Sequence, residues 1–239
     1  MFSRTIGQPG PVTRAAVSLQ FRLVWFRHSL LPSLAKHAFD VILSVLVIPL
    51  ALVLMAVIAL VILVDSGRPV LFVQERIGRG GRRFRMFKFR TLRKDYADTN
   101  DRKVMKDYIE GHTNGSHGAK PAIHKPFEAC HTTPVGRILR KTSLDELPQI
   151  LNVLRGEMSL VGPRPHVPWE VEVYRGWHTE RLEVLPGITG LSQVRGRSGL
   201  TFDSMARYDI EYVRKKSLWL DLKILWWTIE CVFSGRGAG

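Results

Sequence analysis

The chain has 239 residues, 45% of them apolar and 23% charged, which suits one folded domain with an appendage and excludes a disordered tail. A formal net charge of +14 calls for polyanionic surroundings, whether nucleic acid, anionic lipid or phosphorylated substrates. The 2 cysteines, Cys130 and Cys231, form neither a disulfide framework nor a Cys-x-x-Cys metal spacing and suit a reducing compartment.

Residues 19–34 mix Phe21, Leu23, Trp25, Phe26 and Leu30 with Arg22, Arg27 and His28, a composition suited to the headgroup layer of a membrane. Between Asp40 and Asp65 every residue is uncharged, a run longer than the ~20 residues needed to cross a bilayer as a helix. A cleavable signal does not fit, because the run starts far from the N-terminus and no small-residue cleavage site follows it. Its flanks are basic on both sides, with Arg22, Arg27 and Lys36 before and Arg68, Arg76 and Arg79 after, so charge assigns no crossing direction. A helix that returns to its own face resolves that conflict, and Pro49 removes a backbone hydrogen bond where a bend can begin. A crossing helix remains the alternative, and Asp40 is expected near the headgroups in both.

From Pro69 to Arg90 the pattern predicts a β-hairpin: Val70 to Val73, a turn through Gly78-Arg79-Gly80-Gly81, then Arg83 to Arg90. The apolar phase slips at Met86-Phe87, which predicts a bulge or strand end. Arg82, Arg83, Arg85, Lys88 and Arg90 are expected to form a basic band facing phosphates. Residues 94–132 lack a sustained apolar period and read as a surface insertion with some helix. The spacing of His112, His117, His124, Cys130 and His131 within it matches no zinc site.

Arg140-Lys141-Thr142-Ser143-Leu144-Asp145-Glu146-Leu147-Pro148-Gln149 sets an acidic pair at an apparent helix start. Ser143 and Glu146 have capping-box spacing, and a helix is predicted from there to about Leu154. A carboxylate at a helix N-terminus is favoured as the anion, and Arg140 adds to this, so Asp145 is expected to be ionised. Such an aspartate can ligate Mg²⁺ or attack phosphorus; a plain surface carboxylate is the alternative. Downstream, Gly162-Pro163-Arg164-Pro165 and Pro186-Gly187-Ile188-Thr189-Gly190, leading to Gln193, Arg195 and Arg197, are rigid loops that present arginines for phosphates or for structural salt bridges. Asp209 is a further polar candidate. Near the C-terminus Leu218, Trp219, Leu222, Leu225, Trp226, Ile229 and Phe233 recur at helical spacing, as either an interfacial anchor or a core-facing stripe.

From about Lys36 onward the chain resembles the bacterial sugar transferases, the monotopic polyprenyl-phosphate sugar-1-phosphate transferases. The matching stretches are Lys36-His37-Ala38-Phe39-Asp40, Phe87-Lys88-Phe89-Arg90-Thr91, Leu139 to Gln149, Met158 to Pro165, and Pro186 to Arg197. The resemblance implies transfer of a sugar-1-phosphate from a UDP-sugar to undecaprenyl phosphate, starting a surface or exported polysaccharide on the cytoplasmic face of the bacterial inner membrane. Asp145 would be the nucleophile that expels UMP. Mg²⁺ would have Asp145 as a ligand, with Glu146 assisting metal binding or deprotonation of the acceptor. Arg140, Arg164, Arg197 and Lys88 would hold phosphates, and Asp221, Asp209, Arg90 and Gln193 are further polar site candidates. The resemblance also implies the re-entrant helix. The family's Ser-Pro break, however, falls about four residues after Pro49, where this chain has Ala51-Leu52-Val53. A short form without a multi-helix N-terminal membrane domain is expected.

The expected architecture is α/β and mostly helical, a single membrane-docked domain with a small β-hairpin and an N-terminal re-entrant membrane helix. Residues 1–35 form the interfacial segment, 36–66 the membrane helix, and 67–239 the catalytic domain with its 94–132 insertion. The expected partners are the UDP-sugar, the polyprenyl phosphate and inner-membrane lipid, not nucleic acid, and a homodimer is compatible. The rival reading is a basic membrane-anchored protein that binds nucleic acid or anionic lipid through the Arg82 to Arg90 band.

Overall fold

The computed structural model describes residues 30–93, 99–110, 131–196 and 200–234. The interfacial segment up to residue 29, Arg197, and His112, His117, His124 and Cys130 lie outside these residues. Helix α1, Leu30–Ser66, runs for 37 residues and stays α-helical on both sides of Pro49, so any change of direction is a bend within the helix. At 1.5 Å per residue its contour is about 55 Å. Both of its ends pack on the same domain. Near the start, Asp40 accepts a hydrogen bond from Ser159 Oγ at 2.8 Å, and near the end Ile58 and Ile62 pack against Phe89 and Leu139. Asp40 is therefore buried within protein, because Lys36 and Ser159 replace the water it would otherwise need. Elsewhere α1 leaves Leu46, Leu50 and Val64 exposed at 71%, 74% and 84%, an apolar surface that belongs in lipid rather than water. It is long and apolar enough to cross a membrane.

The hairpin forms as expected, from β1 (Leu71–Ile77) and β2 (Arg83–Phe89), paired antiparallel. Its register is continuous from Leu71↔Phe89 to Ile77↔Arg83, so the expected bulge at Met86-Phe87 is absent. The slip in apolar phase has another cause, since the two faces of β2 are buried by different partners. Phe84 and Met86 pack with Val153 and Met158, while Phe89 on the other face meets α1. Phe87 lies between, with the Arg155 guanidinium 4.8 Å from its ring centroid.

Helix α2 (Thr99–Glu110), within the insertion, carries Ile109 into a cluster with Ile77, Tyr174, Leu182 and Phe202. Helix α3 (Pro134–Thr142) starts at Thr133, whose side chain accepts from Gly136 N–H, with Pro134 in the first turn where its missing N–H costs little. Gly136 lies against the Thr91 backbone with no room for a Cβ. A 3₁₀ segment, Leu144–Gln149, continues into α4 (Ile150–Leu154).

Two short strands that the sequence did not suggest, β3 (Ser159–Val161) and β4 (Gly187–Thr189), pair in parallel. Gly162 N–H donates to Thr189 O and Gly187 N–H to Pro163 O, which fixes the path of the Arg164 loop. After β3 come α5 (Pro168–Glu172) and a 3₁₀ segment, Gly176–Glu183. After β4 come α6 (Leu191–Arg195), α7 (Phe202–Lys215) and α8 (Leu218–Ser234). The expected apolar stripe of α8 is largely exposed, Trp219 and Trp226 at 67% and 63%, and the fully buried apolar residue of the helix is Ile224, which lies outside that stripe. The described chain is thus mostly helical with small two-stranded sheets.

Candidate active site

The site is built where α3 ends. Ser143 adopts a left-handed conformation (φ 58°, ψ 16°), and its N–H bonds back to Arg140 O at 3.2 Å. That joint stops the α-helix and turns the next residues toward β2. The expected capping box does not form: the Ser143 side chain caps nothing, and Leu144–Gln149 is a 3₁₀ turn containing Pro148 rather than an α-helical start. Proline lacks the N–H that an α-helix would require there.

Glu146 points across to β2 instead. Its Oε1 lies 2.8 Å from Lys88 Nζ and 3.4 Å from Arg164 Nη1. Burial alone would raise this carboxyl, but Lys88 and Arg164 reverse the effect and hold it at about 2. The Lys88 ammonium is pulled below its usual range by desolvation, which Glu146 opposes.

Asp145, the neighbouring residue, has its pKa raised. Desolvation is the main cause and Glu146 adds repulsion, while Lys88, Arg140 and Arg164 work the other way. The α-helix macrodipole expected to favour the Asp145 anion is missing, because no α-helix N-terminus stands behind it, and burial is the largest influence on the group. Arg140 is held by Thr91, to whose Oγ1 its Nε donates at 2.9 Å.

The same cleft is lined by Arg76, Met86, Gln149, Pro165 and Gln193. Arg76 and Gln149 were not foreseen as site residues. Strand parity carries the signal for Arg76: Phe72 pairs with Lys88, so Gln74 and Arg76 share its face of the hairpin. Arg76 Nη1 donates to Pro165 O at 3.0 Å and so braces the Arg164 loop.

Other candidates lie elsewhere. Asp209 is a core residue, ion-paired with Arg181 and accepting from Ser192 Oγ at 2.7 Å. Asp221 belongs to a second buried network with Lys36 and Tyr212. Arg90 caps the end of α1, with Nη2 2.8 Å from both Ser66 O and Gly67 O. The basic band accordingly does not form one face, since Lys88 and Arg90 point to different partners and Arg83 pairs with Glu75.

Among the described residues no three His, Cys, Asp or Glu side chains gather into a ready metal cage. Mg²⁺ needs less than that, since it is commonly held by one or two carboxylates plus substrate phosphates and water. The desolvated Asp145 carboxylate, which makes no hydrogen bond among the described residues, suits that partial donor set.

The bacterial sugar transferase family model matches residues 31–235. The chain is 40% identical over 174 residues to the galactosyl transferase CpsE of Streptococcus agalactiae, covering 72% of this chain and 36% of that protein. It is 39% identical over 216 residues to the undecaprenyl-phosphate glucose phosphotransferase of Komagataeibacter xylinus, covering 86% and 37%. It is 37% identical over 244 residues to the UDP-glucose:undecaprenyl-phosphate glucose-1-phosphate transferase of Caulobacter vibrioides, covering 98% and 77%. The chain thus spans little more than a third of the length of the first two. With the matched region running through α1, the hairpin and the Asp145 site alike, the chain belongs to the bacterial sugar transferase family.

Proposed function

We propose that this chain transfers a sugar-1-phosphate from a UDP-sugar to undecaprenyl phosphate and so initiates an exported glycan. The observation that carries this reading is a desolvated carboxylate, Asp145, set among Lys88, Arg140 and Arg164. Such a group is more basic than a surface aspartate, and the cations beside it suit a diphosphate. An Asp145 oxygen attacks the phosphorus that bears the sugar; the phosphoanhydride bond breaks and UMP leaves with its electron pair. An oxygen of undecaprenyl phosphate then attacks the aspartyl-linked phosphorus and releases the Asp145 carboxylate. Arg164, Arg140 and Lys88 neutralise phosphate oxygens in both steps. A carboxylate as acidic as Glu146 is a poor proton acceptor at neutral pH, so its role is to hold Lys88 and Arg164 in place. Mg²⁺, held by Asp145 and the donor's diphosphate, would supply further charge neutralisation.

The membrane reading rests on α1. Both of its ends pack on one domain while the apolar residues between are exposed, which supports a helix that enters and leaves on the cytoplasmic face of the inner membrane. Cysteines placed at positions 34 and 65 should label from the same side, and labels on opposite faces would rule out the re-entrant path.

The activity is tested by UMP release from a panel of UDP-sugars, with polyprenyl phosphate and Mg²⁺, by the detergent-purified chain. Asp145→Asn should lower turnover on the order of 10³-fold. Wild-type turnover in that variant would overturn the mechanism.

A further inference from the structure

Thr91, which follows Arg90 past the end of β2, meets α3 at three points on one helix face. Its carbonyl accepts from Thr133 N–H at 3.0 Å, its backbone lies against Gly136 with no room for a Cβ, and its Oγ1 accepts from Arg140 Nε at 2.9 Å. Residues 133, 136 and 140 are three and four apart, the spacing that stacks side chains on one face of a helix. The helix is therefore seated on Thr91 at its cap, its first turn and its last. Of these contacts, the third reaches a group of the site.

An arginine at the end of a helix needs such a hold. Its long side chain has many rotamers, and α3 fixes the Arg140 Cα but not the guanidinium. A bond at Nε sets the plane of the guanidinium, because Nε lies in that plane. Thr91 is itself fixed, since it is 7% exposed and its branched Cβ restricts χ1. Arg140 also begins the turn that carries the nucleophile, its carbonyl accepting from Ser143 N–H and the Ser143 carbonyl from Glu146 N–H, each at 3.2 Å. Arg90 turns the other way and bonds Ser66 O and Gly67 O at the end of α1. Two consecutive residues thus hold the end of the membrane helix and an arginine that acts on Asp145.

We propose that Thr91 is a positioning residue for the transfer step, acting through Arg140: its hydroxyl oxygen holds the guanidinium where charge develops on the donor's diphosphate. This rests on the transferase reading above. Thr91 touches no substrate in this role. Its loss leaves the Arg140 charge in the site and removes its aim, so the effect falls on kcat more than on KM.

The test is UMP release by the full chain in detergent, for Thr91→Val, Thr91→Ser, Arg140→Met and the double variant of Thr91→Val with Arg140→Met. Valine keeps the shape and the branch and removes the acceptor, whereas serine keeps the acceptor. Thr91→Val should lower kcat about 10-fold with KM within about threefold, and Thr91→Ser should return kcat to within about twofold of wild type. Once Arg140 is methionine, Thr91→Val should cost less than about twofold more. Wild-type kcat in Thr91→Val would overturn the proposal. An equal loss with and without Arg140 would overturn it too, by assigning Thr91 to the fold rather than to the arginine. Should Thr91→Val unfold, Thr91→Ala removes the same acceptor and is read in the same cycle. A wild-type chain that releases no UMP from any UDP-sugar would instead defeat the transferase reading, and the positioning role with it.

Discussion

Lys36 Nζ, on the first turns of α1, lies 3.1 Å from Asp221 Oδ2 on α8, and at 2.7 Å it also pairs with Asp40. One ammonium thus serves two buried carboxylates and joins the start of the membrane helix to the C-terminal helix. Tyr212 Oη, 2.8 Å from Asp221 Oδ1, and Ser159 Oγ, on Asp40, complete the network. Burial raises the Asp221 carboxyl, and Lys36 opposes this.

Removing the lysine should therefore cost more than removing one acid. Lys36→Met leaves two carboxylates facing each other without a cation, and a loss of about 3 kcal/mol is expected. Adding Asp221→Asn should recover part of it. Thermal unfolding in detergent reads both, and strictly additive effects would show that Lys36 and Asp221 are uncoupled.

Asp145 is expected to trade stability for activity. Because its folded pKa is raised, the ionised form destabilises the fold above that pKa, and the penalty disappears as pH falls through it. Asp145→Asn should unfold at a higher temperature than the wild type at pH 7 while losing turnover. The two unfolding temperatures should converge as the medium becomes acidic. A lower unfolding temperature at neutral pH would contradict the desolvation argument.

Glu146 has the opposite sign. Its folded pKa of about 2 lies below the ordinary 4.5, so its stabilising contribution is fully present above about 4.5 and lost as pH falls toward 2. Lys88→Met removes its main cationic partner and leaves Arg164 alone to oppose the effect of burial on the carboxyl. The stability gap between Lys88→Met and wild type should be widest at neutral pH and should narrow through acid, which a series of unfolding curves from pH 7 to 3 can follow.

Ser143 offers a test of the joint that aims the site. A non-glycine residue at φ 58° carries a left-handed cost on the order of 1 kcal/mol, which glycine avoids. Ser143→Gly should leave stability equal or slightly raised, and Ser143→Val should lower it by about 1–2 kcal/mol with a parallel loss of UMP release. A neutral valine would mean that the backbone at this position is free to rearrange.

Much of the site could be read in order along the chain, because chemistry-bearing residues were held in short, rigid segments. Lys88, Glu146 and Arg164 line one cleft, and together with Arg140 they act electrostatically on Asp145. The hairpin was legible from its alternation, and the membrane helix from the length of its apolar run. Less legible were residues whose partners lie far away in sequence. Asp209 looked like a site acid and is the partner of buried Arg181, and Arg90 looked like a phosphate ligand and caps α1.

The sequence by itself determined the apolar helix, the strand pairing around Gly78 to Gly81 and the acidic pair after Arg140, since each follows from local periodicity, glycine and proline. Only the tertiary structure decided the protonation preferences and the neighbours. Asp145 and Glu146 are adjacent carboxylates, yet one is raised by desolvation while the other is held at about 2 by Lys88 and Arg164. That difference depends on which side chain faces which cation across the fold, and no local pattern encodes it.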